Sequence, residues 1–348
     1  MLLGHATDRS RRPTVGRRSA GVAFLHVVAV TALIPAFERP QTVRVAIEHA
    51  LAQTYPHVQV LVGDDSRTDA VRDVVAAFTD PRVRYHRNEP SLGAMRNWVD
   101  LVHRAQTPFV ASLNDDDFWE PEFLERLVAP MVADDRIGMA FCDTWYVDEH
   151  GNRLPDASAH WSQVSHRDRL PPGTHDLGQE HALRMIAVWN SPQPAYAAVM
   201  RRDAVAAIEF PDATDPCHDL WCTYRLFTQG HRFHYVPERL TNYRVHPGNL
   251  TNAGFGAAED FIFDAIVTEQ AGNPVVPELQ QRWARIRFSR ATGALASAGE
   301  VATAQREFAA AVPSLGGWRR ALAAVCARSS LVCGVVGGLK RLKSKVAR

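Results

Sequence analysis

His26–Asp69 reads HVVAVTALIPAFERPQTVRVAIEHALAQTYPHVQVLVGDDSRTD, and the order of its parts decides the fold. His26–Ile34 is a nearly continuous apolar run, the pattern of a strand covered on both faces. A loop punctuated by Pro35 and Pro40 leads into Thr42–Gln53, whose apolar residues at 43, 46, 47, 50 and 51 have helical spacing. Val58–Val62 is a second apolar run, and it ends on Asp64, Asp65 and Ser66. Strand, loop, helix and strand in this order are the unit of a parallel sheet.

The alternation continues outward. Asp69–Phe78 predicts a helix, Val83–His86 a strand, Ala94–Ala105 a helix, Phe109–Leu113 a strand and Pro121–Met131 a helix that opens on proline. Ile137–Cys142 and Thr144–Val147 read as two strands closed by a turn at 148–151. Residues 152–180 are rich in Pro, Gly and His and lack periodicity, so a long loop is expected, of the kind that serves as a binding segment. His181–Val188 and Leu220–Gln229 are helical in pattern; Ala195–Arg201, His231–Val236 and Leu240–Val245 are strands. From Ala257 the pattern stays helical, through Phe261–Gln270, Pro277–Leu295, Ala302–Ala311 and Trp318–Ala327. The fold class is α/β, a doubly wound, mostly parallel sheet with helices on both faces, plus a C-terminal helical extension.

Composition narrows the function. With 46% hydrophobic residues in 348, the chain has a globular balance that excludes wholesale disorder. Five scattered cysteines without a CxxC pair exclude a disulfide scaffold and a zinc cluster, and favour a reducing, cytoplasmic setting. The net charge of +1 conceals an asymmetry: residues 1–20 carry +4, residues 318–348 carry +8, and the body between them carries −11. An acidic body does not bind nucleic acid over its main surface, but it suits a divalent cation. The basic end suits an anionic membrane surface through 318–348, hence a peripheral position on the inner face. No run reaches the ~18 apolar residues of a spanning helix. Residues 1–25 have no apolar core of a signal peptide and are expected to be a disordered basic arm, or the product of an early start.

In doubly wound sheets, ligands bind beyond the carboxyl ends of the strands. Three polar clusters fall there: the loop 35–40, Asp64-Asp65-Ser66, and Asn114-Asp115-Asp116-Asp117. Adjacent carboxylates repel unless a cation or donor compensates them, and a hard divalent ion is the usual answer. A solvated acidic loop is the plain alternative. A phosphoacceptor pocket would need a lysine at a later strand end, and no lysine precedes Lys340.

The stretch opening on Ala32–Asp69 resembles the start of family 2 glycosyltransferases, which have the GT-A fold. The resemblance continues through LGAMRN (Leu92–Asn97), SLNDDDFWEPEFL (Ser112–Leu124) and HDLWCTYRLFTQGHRFHYVPERLTNYRVHPGNLT (His218–Thr251), four motifs in order over about residues 27–251. It implies a GT-A catalytic domain at 26–251, with a nucleotide-binding half at 26–117 and an acceptor half at 118–251. A helical region with a basic tail then fills 252–348.

The resemblance also implies roles. Pro35, Ala36 and Phe37 would line the nucleotide pocket, with Asp65 accepting from a base N–H, which favours a UDP- or dTDP-type donor. Arg96 would face the base or diphosphate. Asn114 stands where the family has its first Asp and would bond a ribose hydroxyl, with Asp115 beside it. Asp116 would hold Mn2+ or Mg2+, joined by His246. Asp219 would be the base that deprotonates the acceptor hydroxyl; its plain alternative is a helix cap. Trp189, Asn190, His218 and Trp221 are the acceptor-side candidates. The implied activity is inverting, metal-dependent transfer of a sugar from a nucleoside-diphosphate sugar to a glycan or lipid-linked acceptor, in cell-surface glycan or glycolipid synthesis. Because no Gln-x-x-Arg-Trp occurs, single transfer is expected over processive polymerisation. The alternative is a catalytically silent GT-A domain that binds carbohydrate or a partner.

Overall fold

The computed structural model describes residues 28–175, 178–193, 195–249, 256–297 and 300–337. The basic arm expected at 1–25 and the last lysines and arginines, from Lys340, lie outside the described residues. The apolar run at the head of the chain forms β1 (Val30–Ala36), flanked in parallel by β2 (Val58–Asp64) and β4 (Phe109–Ser112). A parallel β3 (Val83–Arg87) pairs with β2 on its far side. Successive side chains of a strand point to opposite faces, so an unbroken apolar run needs cover on both. Val30, Ala32 and Ile34 pack with Val43 and Ile47 of α1 (Pro40–Leu51) and with Leu124 and Leu127 of α4 (Phe123–Ala133). Leu33 and Leu61 join the opposite core with Trp98 and Leu101 of α3 (Ala94–Arg104).

The second half of the sheet is mixed. β5 (Phe118–Trp119), β6 (Ile137–Val147), β7 (Gly173–His175), β8 (Ala198–Arg201) and β9 (Arg232–Arg244) extend it, and its order is β3-β2-β1-β4-β8-β6-β9-β5, with β7 also on β9. Strand β8 runs antiparallel between β4 and β6, while β6 and β9 are parallel.

Two expectations for this half need correction. The strands expected at 137–142 and 144–147 are one strand, as are those expected at 231–236 and 240–245. The interruption read in the sequence is a bulge: Cys142 lies opposite Val236, and Asp143 opposite Arg239. A bulge turns a strand without ending it. The loop expected at 152–180 contains a helix, α5 (Pro155–Val164), as well as β7. Helix α5 escaped the periodicity test because its inward residues are serines. Ser158 accepts from Tyr146 N at 2.9 Å, and Ser162 donates to Asp143 Oδ2 at 2.6 Å, both with buried side chains.

Further helices are α2 (Ala70–Ala76), α6 (Gly178–Leu183), α7 (Arg202–Ala206), α8 (His218–Thr228), α9 (Gly256–Glu269), α10 (Val276–Ser297), α11 (Val301–Ala311) and α12 (Gly317–Arg328), with a short one following at 330–337. Helix α10 belongs to two cores. Near its start, Trp283 stacks on Phe263 of α9 with ring centroids 4.3 Å apart, and Arg282 donates to Ala187 O. Further along, Phe288, Ala291 and Leu295 pack with Phe308 of α11 and with Ala323 and Cys326 of α12.

Candidate functional site

The carboxyl ends of β1, β2 and β4 lie side by side, so their loops meet. Ala36 is fully buried, and its carbonyl accepts from Asp65 N at 2.9 Å. The chain then turns outward at Phe37, which is 48% exposed, and Glu38 takes the left-handed conformation (φ 54°). Several bonds hold this turn. Phe37 N donates to Asp115 Oδ2 at 2.9 Å, Glu38 N donates to Ser66 Oγ at 2.8 Å, and the Glu38 carboxylate accepts from Arg67 N and Thr68 Oγ1 at 2.8 Å. The Phe37 ring therefore stands on a braced loop at the mouth of the site.

Asp65, expected to meet a base, is spent inside the protein. One oxygen accepts from Asn88 Nδ2 (3.1 Å) and Leu92 N (2.7 Å), the other from Ser91 Oγ (2.6 Å) and Gly93 N (2.8 Å). Burial works to raise its pKa, and these four donors overcome that and hold it below the usual carboxylate value. Asp65 thus ties the 88–93 loop to the end of β2. Asn97 joins the same network through Asn88 and donates to Gly63 O at 2.8 Å. Any side chain at Gly63 would put its Cβ 2.4 Å from Asn97 Oδ1, so this contact needs glycine.

The acid cluster after β4 divides into two layers. Asp117 is structural: it accepts from Asn114 Nδ2 at 2.9 Å and Arg244 N at 2.8 Å. Burial and then Asp116 push its pKa well above the usual value. Asn114, expected on a ribose, has its amide nitrogen on Asp117. Asp115 and Asp116 face the other way, toward Arg39. Its Nη1 lies 2.9 Å from Asp115 Oδ1 and 2.7 Å from Asp116 Oδ2, and its Nη2 donates to Gly248 O at 3.1 Å. Burial, then the neighbouring Asp116, push Asp115 up to about 6 against the pull of Arg39. Arg39 is the site residue that the sequence reading passed over. Its signal was a lone cation in the loop after β1, in a chain that carries consecutive acids after β4.

His246 lies against Asp116, with Nε2 3.0 Å from Asp116 Oδ2. Gly248 N donates to Nδ1 at 3.1 Å, so in the neutral ring the partners assign the proton to Nε2, which donates to Asp116. The pair also fits a divalent cation. A carboxylate oxygen and an imidazole nitrogen 3.0 Å apart have the spacing of two adjacent ligands around an ion at roughly 2.1 Å, once the ring takes its other tautomer. Among the described residues no group of three or more His, Cys, Asp or Glu is arranged to hold a metal, so further ligands would come from a bound diphosphate and water.

The other candidates have partners of their own. Arg96 pairs with Asp212 at the surface. Asp219 lies in the first turn of α8, where Oδ1 accepts from Leu220 N at 2.8 Å. His218 packs against Trp98, ring centroids 5.3 Å apart, and burial holds its imidazole below the usual pKa. Trp221 is buried and donates to Glu209 O at 2.8 Å, which makes it a core residue rather than a sugar platform. Trp189 is half-buried, stacked on His166 at 4.8 Å, and Asn190 beside it has φ 52°. Trp161 on α5, by contrast, is 43% exposed and stacks on Tyr146.

Known proteins resemble this arrangement at several levels. The chain is 31% identical over 103 residues to the UDP-Glc:alpha-D-GlcNAc-diphosphoundecaprenol beta-1,3-glucosyltransferase WfgD of Escherichia coli. That match takes in 30% of this chain and 41% of the relative's length. Among solved structures, residues 1–349 of S. aureus TarS in complex with UDP-GlcNAc superpose with a TM-score of 0.63 at 14% identity, over 90% of this chain and 92% of that one. The mannosyltransferase PcManGT from Pyrobaculum calidifontis, in complex with GDP-Man and Mn2+, gives a TM-score of 0.50 at 16% identity, over 91% and 88%. At these identities the structures show the fold, which is GT-A. Residues 31–206, half of the chain, match the profile of Glycosyl transferase family 2, and the chain belongs to that family.

Proposed function

We propose that this chain transfers one sugar, with inversion, from a nucleoside-diphosphate sugar to an acceptor hydroxyl, in the synthesis of cell-surface glycan or glycolipid. The observation that carries the reading is the meeting of Asp116 and His246, 130 residues apart in the chain, beside the braced Phe37–Arg39 loop. A donor of the UDP type is supported by the UDP-GlcNAc bound to TarS and by the UDP-Glc in the name of WfgD, whose acceptor is linked to diphosphoundecaprenol.

The residues divide the work as follows. The half-exposed Phe37 ring offers an apolar face on which a base can stack. Asp116 and His246 would hold Mn2+ or Mg2+, an assignment supported by the Mn2+ in PcManGT. When bound, such an ion supplies Lewis-acid stabilisation of the charge that develops on a leaving diphosphate. Asp115 keeps the Phe37 backbone and the Arg39 guanidinium in place. Asp219 accepts the proton of the acceptor hydroxyl as the new bond forms, a role that puts a carboxylate on the opposite side of the sugar from the diphosphate.

A thermal-shift screen of nucleotide sugars with and without Mn2+ tests this reading, because a ligand that binds only the folded protein raises its melting temperature. A UDP-sugar should stabilise the protein more with Mn2+ than without, and release of UDP should follow when an acceptor is added. Stabilisation by no nucleotide sugar would refute it.

A further inference from the structure

The C-terminal helices carry a feature that sugar transfer does not use. Helix α12 and the helix at 330–337 are anchored by one side. Ala323, Cys326 and Cys333 are fully buried against α10 and α11, and Gly337 approaches Leu295 so closely that a Cβ there would lie 3.0 Å from its carbonyl oxygen. The outward side is apolar. Trp318 is 63% exposed, Val325 50%, Leu331 80% and Val335 57%. Trp318 and Val325 are seven residues apart and Leu331 and Val335 four, so each pair lies along one face of its helix.

On α12 and in the residues that follow it, charge has one sign. Arg319, Arg320 and Arg328 lie on α12, with the Arg319 guanidinium 5.0 Å from the centre of the Trp318 ring. No acid follows Glu307 in the sequence, which goes on to Lys340, Arg341, Lys343, Lys345 and Arg348. Glu307 and Asp260, acids of α11 and α9, are already engaged by Arg287 and Arg290. Exposed apolar side chains set beside basic ones are the makings of an interfacial membrane contact. Among the described residues no helix is long and apolar enough to cross a bilayer.

We propose that the outward face of α12 and residues 330–337 docks on an anionic lipid bilayer. Trp318, Val325, Leu331 and Val335 enter the headgroup boundary, and Arg319, Arg320 and Arg328 meet lipid phosphates. A basic residue near such a surface contributes about a fivefold gain in binding. Charge complementarity selects the bilayer over a second copy of the chain, whose matching face would carry the same cations.

Vesicle co-sedimentation of the full chain tests this, with phosphatidylcholine vesicles against vesicles containing one-third phosphatidylglycerol. Binding should be confined to the anionic vesicles and fall at least tenfold in high salt. Trp318→Ser with Leu331→Ser should reduce it at least tenfold while far-UV circular dichroism shows the fold kept, as should Arg319→Gln with Arg320→Gln and Arg328→Gln. Binding that these variants leave intact, or equal binding to neutral vesicles, would overturn the proposal. So would a lipid-independent dimer, in analytical ultracentrifugation, that the Trp318–Leu331 variant dissociates.

Discussion

Arg39→Met removes the guanidinium that lies within hydrogen-bond distance of both Asp115 and Asp116. Methionine keeps an unbranched apolar stem, so the change is chiefly one of charge. The two carboxylate side chains are only 7% and 8% exposed, and leaving a buried ionic partner uncompensated costs about 3–5 kcal/mol. The Arg39 side chain is itself 34% exposed, so solvent screening lowers the expected loss to about 2–3 kcal/mol. With an unfolding entropy of about 2.1 cal/mol/K per residue over 348 residues, each kcal/mol is worth about 1.4 °C. In EDTA at neutral pH the variant should therefore melt about 3–4 °C below the unsubstituted protein. Saturating Mn2+ should narrow the gap, because a divalent cation compensates the same carboxylates and binds only the folded state. Calorimetric melts of both proteins in both buffers decide the matter. A variant that melts within about 1 °C of the parent in EDTA would refute the electrostatic argument. A gap that Mn2+ leaves untouched would show that Arg39 and the cation act at different places.

Asp219→Asn should lower turnover by at least about 10²-fold while donor affinity is kept, as measured by steady-state kinetics and calorimetry; near-normal turnover removes Asp219 from the base role. Asp116→Ala should abolish the metal-dependent part of nucleoside-diphosphate binding, whereas Asp115→Asn, which retains an acceptor for Phe37 N, should keep most of it. Equal losses in the two titrations would mean that the ligand has been misassigned. Burial, then the neighbouring His181, press the His175 imidazole down to about 4. Its unfolded value is near 6.5, so the unfolded chain binds the extra proton between these limits, and stability is lost as pH falls through that window. The contribution of His175 at pH 5 is about 2 kcal/mol, so urea unfolding of His175→Phe should show a visibly smaller loss between pH 7 and pH 5 than the parent does. Parallel losses would place the acid sensitivity elsewhere.

The first half of the sheet, over residues 26–117, was legible in the sequence because its information is local. Its first strand is a nearly continuous apolar run, its helices α1 and α3 carry apolar stripes, and polar clusters follow β1, β2 and β4, whose carboxyl ends lie side by side. Asp116 and His246 were singled out by motif position, and the fold sets them 3.0 Å apart. What the sequence could not decide depends on segments far apart in the chain. Helix α5 was hidden because it buries serines, whose pairing with Asp143 and Tyr146 exists only once β6 lies beneath them. Asp65 looks the same in sequence whichever donors it meets; the return of residues 88–93 to the end of β2 is what supplies them. Trp221 is an aromatic two residues from Asp219 until the packing of α8 buries it. Arg39 is one of many arginines until the sheet brings β1 beside β4 and sets two carboxylates, 76 and 77 residues away, against its guanidinium. Periodicity reports which face of an element is apolar, but the partner of a polar side chain is set by which elements the sheet makes neighbours.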